Sequence, residues 1–131
     1  MTNDVVQAIL AAIPKILAEE ARLDKKHGID PSKNSTLMSA GDGEENVHET
    51  ALESQLMSFD DESLLKALAL VYYGQEHPKR KFEPMLYHFR KREMSKSELV
   101  QKLMEKVRSC PRYFAAAETC LERYGLSIRK I

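Results

Sequence analysis

A chain of 131 residues, 43% hydrophobic, is the size of one domain, expected to bury roughly two thirds of the surface its unfolded form exposes. Two cysteines are too few for a disulfide scaffold and, without C-x-x-C spacing, give no support to a thioredoxin-like centre or a structural zinc site; they suit a reducing cytoplasm. The formal net charge of zero conceals a division: residues 1–65 carry 13 acidic against 5 basic side chains, a balance of −8, and residues 66–131 carry 7 against 15, a balance of +8. Such asymmetry points to an electrostatic partner unless folding interleaves the halves.

Helix signals dominate the chain. Asn3 is placed to cap a first helix whose apolar positions Val6, Ile9, Ile13, Ile16 and Leu17 recur at three- and four-residue steps and which ends where His27 meets Gly28; Pro14 should kink or divide it. The sequence MTNDVVQAIL has aspartate where an export signal would carry lysine or arginine, so no export signal is expected. Residues 28–46, GIDPSKNSTLMSAGDGEEN, are too polar to offset the entropy of ordering and read as a flexible polar loop. Asn46 and Glu49 then have capping-box spacing for a short helix carrying Leu52 and Leu56.

The clearest local grammar is SFDDESLLKALALVYYG. Asp60 stands at the N-cap, Asp61 and Glu62 place negative charge at the positive end of the helix, and Phe59 is placed to staple onto Leu64. Gly74 is the expected left-handed stop. Between them Leu64, Leu65, Ala67, Leu68, Ala69, Leu70, Val71 and Tyr72 cover most of the circumference, which makes residues 61–73 the central helix of the core. Its apolar run ALALVYY is far too short to span a bilayer, so no membrane partner is expected.

Pro84 suits the first turn of a helix bearing Met85, Leu86 and Phe89, and Ser95 with Glu98 forms a capping box ahead of Leu99, Val100, Leu103, Met104 and Val107. Ser109-Cys110-Pro111 breaks that helix and starts the last one, whose buried face is Tyr113, Phe114, Ala117, Leu121 and Tyr124; Gly125 ends it, and Leu126 and Ile128 fold back onto the core. The expected fold is all-α: a single domain over residues 1–131, a compact bundle of about six helices around the central apolar helix.

With these elements in place, residues 52–127 resemble a small all-helical bacterial family, domain of unknown function 3775. The resemblance lies in the ESLLKALALVYYG helix, the charged loop and amphipathic helix after it, the capped helix, and the closing RYFAAAETCLERYGL. Where that family has a Gly-Arg-Gly turn after its central helix, this chain has Gly74, Gln75 and Glu76. The resemblance implies a helical fold and a bacterial cytoplasmic setting, and it implies no activity, cofactor or site.

Catalytic and metal constellations find little support. Asp42, Glu44, Asn46 and Glu53 fall at EF-hand positions 1, 3, 5 and 12, but the position that needs glycine for its sharp turn is Val47. His48 could meet Glu44 and Glu45 on one helical turn, but zinc needs three or four converging ligands and no other histidine or cysteine stands at ligand spacing from it. Cys110 opens a helix between Arg108 and Arg112, where a thiolate would be favoured, yet no base can be tied to it, and a buried small hydrophobe is the simpler reading. Asp60 and Asp61 are explained as cap and dipole partner. A helix-turn-helix formed by SELVQKLMEK and PRYFAAAETCLERYG would read bases with aromatics and alanines and would turn Glu118 and Glu122 toward phosphate. No cofactor is implied.

What remains is HPKRKFEPMLYHFRKRE, residues 77–93, in which cations alternate with aromatics as polyanion binding requires. The candidate binding residues are His77, Lys79, Arg80, Lys81, Tyr87, Arg90, Lys91 and Arg92. Phe82, Tyr87 and Phe89 cannot share one helix face, so Tyr87 is expected near the surface. Arg90, Lys91 and Arg92 also have a structural role available, complementing a helix C-terminus. The functional expectation is a non-enzymatic helical module that binds another macromolecule, a protein first; the alternative is a nucleic-acid or polyanion binder using residues 77–92. An acidic protein, a nucleic acid and a second copy of the chain are the partners this leaves open.

Overall fold

The computed structural model describes residues 4–26, 46–76 and 81–131, and every regular element among them is helical. Six α-helices follow in order: α1 Asp4–Lys26, α2 Val47–Met57, α3 Asp61–Glu76, α4 Glu83–Lys91, α5 Lys96–Glu105 and α6 Cys110–Glu122, with 3-10 turns at Val107–Ser109 and Ile128–Lys130. The expected loop over residues 28–46 lies outside the described residues apart from Asn46, as does the Asn3 cap.

Local signals set most of the boundaries. Asn46 Oδ1 accepts from the backbone N–H groups of His48 and Glu49 at 3.1 and 3.2 Å, while its Nδ2 donates to the Ile16 carbonyl at 2.8 Å, so one side chain both caps α2 and ties it to α1. Asp60 caps α3 by accepting from the N–H of Ser63 at 3.2 Å and from its hydroxyl at 2.7 Å. These bonds to the ionised carboxylate, the Ser63 hydroxyl foremost, hold Asp60 below the usual carboxylate range. The capping box at Ser95 and Glu98 forms, with the Glu98 N–H donating to Ser95 Oγ at 3.2 Å. Gly125 takes φ +71°, and the N–H groups of Gly125 and Leu126 return to the carbonyls of Glu122 and Leu121, the paired bonds of a Schellman ending.

Helix α3 is the centre of the bundle. It meets α1, α4, α5 and α6, the last most extensively, and Leu64, Ala67, Leu68, Ala69, Leu70, Val71 and Tyr73 are all completely buried. Each of its leucines contributes roughly 1.5–3 kcal/mol by leaving water. Phe59, just before the cap, is half-buried against the core that holds Leu64, as a hydrophobic staple places it.

Five expectations are corrected. Gly74 does not stop α3, which continues to Glu76; it is a helical residue without positive φ. A β-carbon there would lie 1.8 Å from the Tyr113 carbonyl oxygen, so glycine is needed for close approach of α3 to α6. Pro14 does not divide α1, which is continuous through it. Pro14 and Leu10 both stand on the exposed side, and the Leu10 carbonyl is the one that the missing Pro14 N–H leaves without a helical donor. Leu17, counted among the apolar positions of α1, is 47% exposed. Tyr72 is half-buried, and Val107 is buried in a 3-10 turn beyond the end of α5.

Candidate functional site

Helix α4 is short and apolar on one side only. Pro84 in its first turn presets the backbone, and Phe82, Met85, Leu86 and Phe89 are buried against the bundle. With four side chains pinned inward, Tyr87, His88, Arg90 and Lys91 are directed outward, and Arg92 follows at the C-terminal end. Tyr87 is 59% exposed, as the aromatic spacing requires. The chain leaves α4 through Glu93 at φ 49°, a left-handed conformation taken without glycine.

Of the eight candidate binding residues, His77, Lys79 and Arg80 lie outside the described residues. Lys81 is exposed at the approach to α4. Tyr87, Arg90, Lys91 and Arg92 share one helix end but do not act alike. Arg90 is clasped by Glu62 at the start of α3, with Nε donating to Oε1 at 3.1 Å and a second bond from Nη2; the Glu62 hydrogen bond shifts the guanidinium further up. Lys91 Nζ stands 4.8 Å from the Tyr87 ring centroid, and the Arg92 guanidinium carbon 5.5 Å from that of Phe89. Among the described residues, then, Arg90 has a carboxylate partner while Lys91 and Arg92 have ring faces.

The pairing of Arg90 belongs to a wider arrangement. Lys96 approaches Asp61 at 3.8 Å, and Arg108 reaches both Glu20 on α1 at 3.0 Å and Glu49 on α2 at 3.4 Å. Each of these pairs joins a base from residues 66–131 to an acid from residues 1–65, so folding interleaves the two halves. Lys91 and Arg92 stay outside that neutralisation.

Beside them lies a groove of about 460 Å³ between the end of α3 and α4, lined by Tyr72, Glu76, Pro84, Met85, His88, Phe89 and Arg92. The rings of Tyr72 and Phe89 meet at 5.1 Å and form part of its wall. Two cations stand over those rings, Arg92 on Phe89 and Lys106 on Tyr72 at 4.9 Å, while Lys106 Nζ also donates to Gln75 Oε1 at 3.1 Å. An aromatic wall under cations suits a ligand that is partly apolar and negatively charged. The sequence reading missed Tyr72, Met85, His88 and Lys106 here; the apolar run of α3 hid Tyr72, and only tertiary folding brings Lys106 to it.

Other chemistry is not assembled. Cys110 is completely buried, and burial pushes its thiol up to about 12 against a weaker opposing effect of Lys106, in agreement with its reading as a buried small hydrophobe. Among the described residues no three histidine, cysteine, aspartate or glutamate side chains gather as a metal site requires. Of the EF-hand positions, Asp42 and Glu44 lie outside the described residues, and Asn46 is committed to its cap. Helix α6 is largely turned inward, with Cys110, Phe114, Ala117, Cys120 and Leu121 buried; Arg112 and Ala115 are the exposed positions of its first half. No helix among the described residues is long and apolar enough to cross a membrane. No family model, curated protein or solved structure matches the chain.

Proposed function

We infer that the chain is a non-enzymatic helical docking module, and that its working surface is the outer face of α4 together with the groove against α3. The ligand is an acidic segment of another protein. The observation that carries this reading is the different treatment of adjacent cations: Arg90 is spent on Glu62, whereas Lys91 and Arg92 are held over Tyr87 and Phe89 with no carboxylate among the described residues. A cation on a ring face keeps outward-facing charge that a salt-bridged one has lost. The bacterial cytoplasmic setting implied by the resemblance of residues 52–127 belongs to the same proposal, and a reducing compartment accords with its two buried thiols.

A second reading draws on Tyr87. An exposed ring beside Lys91 is also a stacking platform for a single-stranded base, so a nucleic acid could take the same face. Titrating poly-L-glutamate and a mixed-sequence single-stranded oligonucleotide at two salt concentrations separates the two. The proposal expects measurable poly-L-glutamate binding, weaker at high salt and lost in the Lys91→Glu, Arg92→Glu double variant. Preference for the oligonucleotide, together with its loss in Tyr87→Ala, would transfer the site to nucleic acid. Binding of neither probe, or binding unchanged by the charge reversals, would refute a working surface on α4.

A further inference from the structure

The outward face of α1 carries an apolar stripe that no other element covers among the described residues. Leu10 and Leu17 are 40% and 47% exposed, and Ala11, Pro14, Ala18 and Ala21 are exposed with them. Leu10, Pro14, Leu17 and Ala21 follow one another at steps of four, three and four, the spacing of a two-helix seam rather than of scattered surface residues. The same register extends to Gln7 and Asp24 at its polar ends. One flank of the stripe is closed, since Val6 and Ile13 are buried in the protein's own core and Glu20 is held by Arg108. The other flank is open and reads Asp4, Ala11, Ala18, Lys25, all exposed.

We propose that this face is a homodimer interface in which α1 packs antiparallel against α1 of a second copy. Antiparallel pairing about a two-fold axis between Pro14 and Leu17 aligns every position of the register. Leu10 faces Ala21 of the other copy, Leu17 faces Pro14, and Gln7 faces Asp24, so each large side chain meets a smaller one. In a two-fold antiparallel pair the open flank meets itself. Asp4 then stands by Lys25 of the second copy, and Ala11 by Ala18, where small side chains let the helices approach closely. Parallel pairing would set leucine on leucine, alanine on alanine and like charge on like charge. The surface is therefore complementary to its own reverse, which selects a second copy as its occupant. The seam is short, and the Leu10 carbonyl lacks its helical donor within it. Reversible exchange between monomer and dimer is the expected behaviour, because the contact falls short of a standard interface.

Sedimentation velocity across a wide concentration range tests the proposal. The wild type should shift from monomer to dimer, and Leu17→Glu should raise the dissociation constant roughly a hundredfold, because symmetry introduces the charge twice. Far-UV circular dichroism should be unchanged, since the position is exposed. Asp4→Lys should weaken the dimer, and the Asp4→Lys, Lys25→Asp double variant should restore it. Orientation is read by disulfide formation under copper–phenanthroline, with both native cysteines buried. A mixture of Leu10→Cys and Ala21→Cys chains should cross-link, whereas neither variant should cross-link to itself, its two thiols being about 16 Å apart along the seam. A wild type monomeric at every concentration, a dimer indifferent to Leu17→Glu, or self-cross-linking of either single variant would overturn it.

Discussion

Helices α3 and α4 succeed one another in the chain and obey opposite rules. Helix α3 is apolar nearly all round and is met by helices α1, α4, α5 and α6. Helix α4 buries three side chains on one side and gives the rest of its surface to charge and one exposed tyrosine. Stability is therefore concentrated in α3, and the capacity to meet a partner in α4. The largest test of that division is Leu68→Ala, at a completely buried position of α3. It should lower the unfolding free energy by roughly 2–5 kcal/mol in a denaturant titration. Tyr87→Ala, on the outer face of α4, should fall within about 0.5 kcal/mol of wild type. Equal effects would erase the contrast.

Gly74→Ala sharpens the comparison because local and tertiary rules disagree about its sign. In an exposed helix interior alanine would be favoured over glycine by about 1 kcal/mol. Here its methyl would meet the backbone of Tyr113, which cannot rotate aside, so α3 and α6 must separate. A loss of roughly 1–3 kcal/mol or more is expected. Stabilisation would show that the two helices are not in contact at this point.

That disagreement also marks what the sequence could reveal. The caps at Asn46, Asp60 and Ser95 and the Pro84 start were legible because each donor and acceptor sits within a few residues of its partner. Gly74 was misread because its reason lies on another helix: a glycine near a helix end and a glycine at a helix crossing look alike in one dimension. The same distance hid the groove, where Lys106 reaches Tyr72 only after α5 packs on α3. The basic segment was found, but its internal division was not. Nothing in Arg-Lys-Arg distinguishes the member that will face Glu62. Leu17 was drawn into the core by its letter, although the helix turns it to water.

The buried side of the comparison also has a pH signature. Cys110 is raised to about 12 in the folded protein by burial, whereas an unfolded thiol titrates at about 8.5. Its contribution is intact below the unfolded value. Above it the unfolded chain loses the proton first, so stability falls with rising pH until the folded value is passed. Tyr73, also raised by burial, adds to the same alkaline slope at higher pH. About 2 kcal/mol should be lost by pH 10 through Cys110. Cys110→Ala should flatten the curve between pH 9 and 10, measured by urea unfolding at each pH. An unchanged slope would mean that the thiol titrates normally.

On the α4 side the expected gain is smaller. Glu93 closes the helix at φ 49°, a conformation glycine adopts without the β-carbon penalty. Glu93→Gly should therefore raise stability by about 0.5–1 kcal/mol in the same titration, whereas Glu93→Val should lower it. A loss with glycine would show that the glutamate side chain, rather than the backbone, sets this turn.

The smallest effects come from comparing Arg90 with its neighbour. Arg90→Gln removes the clasp between α4 and the start of α3, while Lys91→Gln removes only a cation lying over an exposed ring. Both positions are on the surface, so neither change should unfold the protein. Arg90→Gln should lower the thermal midpoint slightly at low salt, and the difference from wild type should shrink as salt screens the Glu62 pair. Lys91→Gln should leave the midpoint in place at every salt concentration. Poly-L-glutamate affinity should show the reverse ranking, falling more in Lys91→Gln than in Arg90→Gln, because the Arg90 charge is already answered within the fold. If the two variants rank alike in both measurements, then pairing with Glu62 does not divide the cations of α4 into structural and available ones, and the docking surface must be sought without that distinction.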